Sequence, residues 1–217
     1  MLSRRLQEIS RMLDICDTVA DIGSDHGLLP LDMLMNGKIN FAVLCDIGAK
    51  PLSHAQQHFE AANMTHRAQF FVSDGLLDVD ADIKNVIISG MGFETILHII
   101  HQSLDAFQHM DQIILQSNTK VYHVRRFMQE HNFELVNESF VSERGHGYVV
   151  LKYKPAQKLQ PLKLEHIYFG YYLVNPLQQT YRTYLEKELK RHHDLLHTNN
   201  PEILIKKDIL IDILHSK

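Results

Sequence analysis

The sequence predicts an α/β protein built on a seven-stranded, mostly parallel sheet, with a helical hairpin at its C-terminal end. Three observations predict it. Through the first 131 residues, short apolar runs of strand length alternate with amphipathic stretches of helix length, the pattern of parallel strands joined by crossover helices. The last two apolar runs follow each other with no helix between them, so they form an antiparallel pair. The stretch 154–163, KPAQKLQPLK, has no apolar pattern and divides this array from a helical tail.

Taken in order, Leu2, Leu6, Ile9 and Leu13 fall at helical spacing, with Arg4, Arg5 and Arg11 around the polar side. Strands are expected at 18–22 (TVADI), 41–46 (FAVLCD), 68–72 (AQFFV), 84–89 (KNVIIS), 111–116 (DQIILQ), 133–141 (FELVNESFV) and 147–153 (GYVVLKY). Helices are expected near 28–36, 49–62, 93–107 and 119–131. In the tail, Pro176 suits the first turn of a helix reaching about His197. Residues 198–201 read as a turn, and Pro201 opens a second helix carrying Ile203, Ile205, Ile209, Leu210, Ile213 and Leu214. Leu177, Tyr181, Tyr184, Leu185, Leu189 and Leu196 keep three- and four-residue spacing, so the two helices pair as a coiled-coil-like hairpin. Two domains follow, 1–155 and 156–217.

Composition narrows the function. Hydrophobic residues at 45% and charged residues at 22% are ordinary for a soluble globular chain. Cys16 and Cys45 stand far apart, which excludes a disulfide framework or a cysteine-rich zinc site and fits a reducing cytosol. The 15 histidines are scattered, with no HExxH or HxH pattern, so no metal site is expected. The N-terminus is charged throughout, and no stretch reaches the roughly 20 apolar residues that span a bilayer. A cytoplasmic protein without membrane contact is expected. The net charge of −4 hides an asymmetry: the acidic excess lies before residue 155, and the tail is mildly basic. That permits a nucleic-acid surface.

The informative stretch is Asp21-Ile22-Gly23-Ser24-Asp25-His26-Gly27-Leu28-Leu29-Pro30, where a strand ends, a glycine-flanked loop follows and a helix begins. In an open parallel sheet of the Rossmann type, ligands bind there, beyond the carboxyl ends of the strands. A dinucleotide site needs a central glycine so that backbone can approach the pyrophosphate. Here Asp25 holds that position in a GxxxG spacing, and its carboxylate repels linked phosphates. S-adenosylmethionine carries a sulfonium and an ammonium group instead, and an acidic loop suits it. Asp25 also suits the N-cap of the next helix, and both roles can hold at once.

The other strand ends add to this. Asp46, at the tip of the second strand, is placed to accept both ribose hydroxyls, a feature shared with NAD sites. Asp74, in Ser73-Asp74-Gly75, is placed for the adenine amino group. Singly, each acid reads as well as a turn or cap residue; three at successive strand ends do not. Gly90 and Gly92, in Ser89-Gly90-Met91-Gly92-Phe93, allow close backbone approach to a bound group or a tight strand-to-helix turn. Asn118, in Gln116-Ser117-Asn118, brings an amide to the same rim or caps the helix after it.

These residues together resemble the bacterial tRNA methyltransferases that act on N1 of adenine 22. The resemblance runs through LSRRL, ADIGSDHGLLP, SDGL, IISGMG, IILQSN and ERGHGYVVLKY to YFGYYL at 168–173, in order and over nearly the whole chain. It implies a class I Rossmann-like methyltransferase domain using S-adenosylmethionine, with tRNA as substrate and no obligate protein partner. It places the cofactor on Asp21, Gly23, Ser24, His26, Gly27, Asp46, Ile47, Asp74, Gly75 and Gly90, and catalysis on Asp25, Asn118 and Gly92. The chain departs from the family pattern at Ile47, Phe93, Ser117 and Tyr171; Phe93 and Ser117 fall beside the expected target-base pocket.

Adenine N1 has a free lone pair, so alignment and favourable charge carry the reaction, with Asp25 and Asn118 facing the base. N1 lies on the Watson–Crick edge, so the base must be unpaired or extruded and then stacked, with Phe93 either a platform or a packed core residue. Arg4, Arg5, Arg125, Lys190 and Arg191, with Arg11, Lys120, Arg126 and Lys187, are candidates for tRNA phosphates. Three other readings stay open: a methyltransferase for a different RNA base, an NAD-using Rossmann enzyme, and a tRNA-binding module without catalysis.

Overall fold

The computed structural model describes residues 2–24, 26–79, 82–195, 197 and 200–215. Its centre is a seven-stranded sheet in the order β3-β2-β1-β4-β5-β7-β6. The strands are β1 (Thr18–Ile22), β2 (Phe41–Asp46), β3 (Ala68–Val72), β4 (Asn85–Met91), β5 (Gln112–Ser117), β6 (Phe133–Glu143) and β7 (His146–Pro155). The first five are parallel, and β7 pairs antiparallel with both β5 and β6. Each run of β-branched and aliphatic residues became a strand within a few residues of its expected bounds.

Both faces of the sheet are covered, so neighbouring residues on a strand serve different cores. Val19, Leu44, Ile87 and Ile114 pack against α1 (Arg4–Met12), α2 (Leu28–Met35) and α3 (Ala49–Ala61). Ala20, Cys45, Ile88 and Leu115 pack on the other face, against α4 (Phe93–Gln102), α5 (Leu104–Phe107) and α6 (Val121–Glu130). One continuous helix was expected over 93–107. The chain breaks at Ser103 (φ −122°, ψ 30°), and the new direction buries Phe107 completely.

After β7, residues 156–163 form neither helix nor strand; then come α7 (Leu164–Phe169) and α8 (Tyr171–Val174), which periodicity did not reveal. The hairpin consists of α9 (Gln179–Asp194) and α10 (Pro201–His215). Pro176 does not open α9 as expected. It sits in a turn closed by a Val174–Leu177 bridge; the helix starts at Gln179 and stops at Asp194, short of His197. Arg182 Nη1 joins the two helices by donating to the Leu214 carbonyl at 2.8 Å. Tyr181, Leu185 and Leu210 join the same apolar cluster as α4 and α6.

Arg125 is the clearest correction among the expected phosphate contacts. It is 1% exposed, and its Nε donates to Glu138 Oε1 at 2.5 Å. Its Nη1 donates to the carbonyls of Ile167 and Tyr168, and the Tyr172 amide donates to Glu138 Oε2. Buried this way, the guanidinium pins α7 and α8 to the sheet and is not a surface group for a phosphate. The glycine of YFGYYL belongs to this lock: Gly170 has φ 88°, and a Cβ there would lie 2.6 Å from Glu138 Oε2.

Candidate active site

Strand order reverses between β1 and β4, and their carboxyl ends open the crevice in which ligands of such sheets bind. A cavity of about 230 Å³ lies there, bringing together Arg5, Asp21, Gly23, Ser24, His26, Gly27, Ser89 and Gly90. Gly23 and Gly27 adopt left-handed backbone (φ 78° and 63°), which turns the chain sharply between β1 and α2. Asp25 lies outside the described residues.

Asp21 is 5% exposed, and Ser24 Oγ donates to its Oδ2 at 2.7 Å. Burial pushes its carboxyl up to about 6; the Ser24 hydrogen bond opposes this and the nearby Asp46 charge adds to it. A buried acid with a raised pKa becomes a carboxylate more easily when a cation arrives beside it. Asp46 holds the tip of β2, its Oδ1 accepting from the Gly48 amide at 2.8 Å. Ile47 next to it is 77% exposed. Asp74 turns toward α4, with Oδ2 3.3 Å from His98 Nε2 and 3.4 Å from Gln102 Nε2, and Gly75 lies under Ile99 of that helix. These four residues lie outside the cavity lining, on the β2 and β3 side.

On the other side a polar relay ties three elements together. Gln116, fully buried, accepts through Oε1 from Arg5 Nη1 at 2.5 Å and from the Gly90 amide at 3.2 Å. Its Nε2 donates to Asn118 Oδ1 at 3.1 Å, and Asn118 Nδ2 donates to the Gly90 carbonyl at 2.7 Å. The Asn118 amide also donates to Met91. Asn118 therefore clamps the β4–α4 turn. It does not cap α6, whose N-cap is Lys120. Gly92 is the N-cap of α4, and Phe93 Nα donates to Thr119 Oγ1 at 3.2 Å. The Phe93 ring stacks on His123 with centroids 4.5 Å apart. Ser117 closes its own loop, its hydroxyl donating to the Thr119 carbonyl at 2.6 Å.

Arg5 also corrects the expectation of a phosphate contact. Its guanidinium enters the crevice and passes 5.5 Å from the centre of the Tyr148 ring. A signal for this exists in the sequence: Arg5, Ile9 and Met12 share one helical stripe, and the latter two are buried. Arg4, Lys190 and Arg191 are exposed. Gln116 was missed as a site residue; only the register Ser89↔Gln116 shows that it faces Gly90.

An open α/β sheet, a glycine-turned crevice at the reversal of strand order and acids at successive strand tips define a nucleoside-cofactor enzyme of the Rossmann class. A family model described as a methyltransferase domain matches residues 2–151. The tRNA (adenine(22)-N(1))-methyltransferase of Bacillus subtilis is 30% identical over 151 residues, 69% of this chain and 63% of that protein. M. capricolum TrmK, solved with S-adenosyl-homocysteine, is 30% identical, with 99% of this chain and 100% of that one covered at a TM-score of 0.87. A putative tRNA (m1A22) methyltransferase of Streptococcus pneumoniae, solved with S-adenosyl-L-methionine, is 25% identical, with 99% and 100% covered at a TM-score of 0.92. The chain belongs to the methyltransferase-domain family and, within it, to the TrmK family.

Proposed function

We propose that this protein methylates N1 of adenine 22 in tRNA, with S-adenosylmethionine as methyl donor, in the cytoplasm. The observation that carries this reading is the crevice itself: a buried, raised-pKa Asp21 in a glycine-turned loop, continuous through Gly90 with the Asn118 clamp. Residues 1–155 serve as the catalytic unit, and 156–217 as the helical unit that helps to hold RNA.

The residues fit the donor. Asp21 and Ser24 hold negative and polar atoms where an ammonium or sulfonium is welcome, and Arg5 offers the opposite charge to a carboxylate. Asp46 stands ready for ribose hydroxyls, and exposed Ile47 gives an apolar face to a purine. When bound, S-adenosylmethionine supplies a methyl group activated by a positively charged sulfur. Since adenine N1 already carries its lone pair, this chain need not remove a proton before attack. Its work is alignment: Asn118 and Gln116 fix the Gly90 backbone, and the β4–α4 turn through Gly92 borders the place the base would take, with Asp25 a further candidate from its position in the sequence.

Two measurements test this. Incubation with labelled donor and unmodified tRNA, followed by mapping, is expected to place the methyl on N1 of adenine 22. Label on another base, or none, refutes the reading, and calorimetric binding of NAD in place of the donor refutes the crevice assignment. The second concerns pH. Below about 6 the Asp21 carboxyl gains a proton that a cationic ligand must displace. Affinity for S-adenosylmethionine should therefore weaken about tenfold per pH unit below that point and level off above it. Asp21→Asn should flatten the profile, and a flat wild-type profile would place the positive end of the donor elsewhere.

A further inference from the structure

The motif ERGHGYVVLKY is not explained by the crevice. Its first half forms the β6–β7 hairpin, whose two-residue turn has left-handed backbone at both Arg144 (φ 50°) and Gly145 (φ 82°). Glu143 Oε1 accepts from the Arg4 amide at 2.9 Å, which fastens the hairpin to α1. Gly147 lets α9 come close: a Cβ there would lie 2.9 Å from the Tyr184 ring and 2.7 Å from Phe140. Hairpin and helix thus border an open groove of about 460 Å³ that Asn118 also lines.

We propose that this groove binds the tRNA nucleotide adjacent to the target base, with Tyr148 and Tyr184 beside its base and Lys187 and Arg191 at its phosphate. The inference rests on the tRNA reading above and adds a subsite to it. The lining supplies what a single-stranded nucleotide needs: two partly buried aromatic rings, Tyr184 held by Phe140 and Tyr181, and two exposed cations along one wall. Glu188 is the acid of this wall, and Arg191 Nη1 neutralises it at 2.9 Å while its guanidinium stays mostly exposed. Asn118 both lines the groove and clamps Gly90, a residue of the donor crevice, so an occupant of the groove would adjoin that crevice. Arg5, which touches both the Tyr148 ring and the Gln116 relay, links the groove to the donor crevice.

The test uses the full chain, with Tyr148→Ala, Tyr148→Phe and the double variant Lys187→Ala, Arg191→Ala. Readouts are KM and kcat on unmodified tRNA, tRNA affinity across a salt series, and calorimetric affinity for S-adenosylhomocysteine. Tyr148→Ala is expected to raise the KM for tRNA about tenfold, and Tyr148→Phe to restore it. The double variant should weaken tRNA binding and reduce the slope of log affinity against log salt by roughly 1 to 2. Affinity for S-adenosylhomocysteine should stay as in the wild type. Unchanged tRNA KM, affinity and salt slope in both Tyr148→Ala and the double variant overturn the groove, as would competition for it by an acidic peptide but not by a short single-stranded RNA. If the wild-type chain methylates no tRNA, the earlier reading fails by itself, and the binding readouts still judge the groove.

Discussion

Replacing Arg125 with alanine is expected to destabilise the fold by about 3–5 kcal/mol, against about 1 kcal/mol for an ordinary hydrogen bond. The size follows from what stays behind. Glu138 is fully buried beneath α7 and α8, and without the guanidinium its carboxylate keeps, among the described residues, only the Tyr172 amide as partner. The carbonyls of Ile167 and Tyr168 lose a donor in the same step. Removing one half of a buried pair leaves a charge that neither water nor protein solvates, whereas removing both halves does not. Arg125→Met combined with Glu138→Leu should therefore recover most of the loss. Urea unfolding followed by circular dichroism measures both. An Arg125→Ala protein within about 1 kcal/mol of wild type would mean that the pair holds nothing in place.

The same residue shows how far the sequence could be read. Alternating apolar runs identified every strand because the sheet is covered on both faces, and strand tips then located the crevice without any contact being known. What failed was the assignment of cations. Arg125 shares a helical stripe with Val121 and Met128, and Arg5 shares one with Ile9 and Met12, so periodicity alone put both toward the interior. Reading them as phosphate ligands gave more weight to charge than to position. Their partners, Glu138 and Gln116, lie on other elements and appear only once the sheet is assembled. The break at Ser103 and the turn at Pro176 likewise depend on where Phe107 and the tail dock, which no local pattern encodes.

Asn118→Ala should lower kcat about a hundredfold, the scale on which misplacement of roughly 1 Å acts in an aligned reaction. Two structural facts make this a loss of alignment and not of folding. Asn118 caps no helix, so α6 keeps its own start at Lys120, and the side chain is exposed at the rim, where truncation leaves no cavity. What disappears is the bond from Nδ2 to the Gly90 carbonyl and the acceptor for Gln116 Nε2, the two side-chain contacts by which Asn118 holds the β4–α4 turn between the donor crevice and the groove. Asn118→Asp is the sharper variant: it keeps an acceptor for Gln116 but sets a carboxylate against the Gly90 carbonyl, so it should be no more active than alanine. Affinity for S-adenosylhomocysteine should remain within about threefold, roughly 0.6 kcal/mol, because the cavity that would hold it is lined by other residues. Single-turnover methylation of tRNA with saturating donor separates these outcomes. A rate for Asn118→Ala within about threefold of wild type would show that the turn holds its shape without the clamp, and alignment would then have to come from Gly92 and the α4 N-terminus alone.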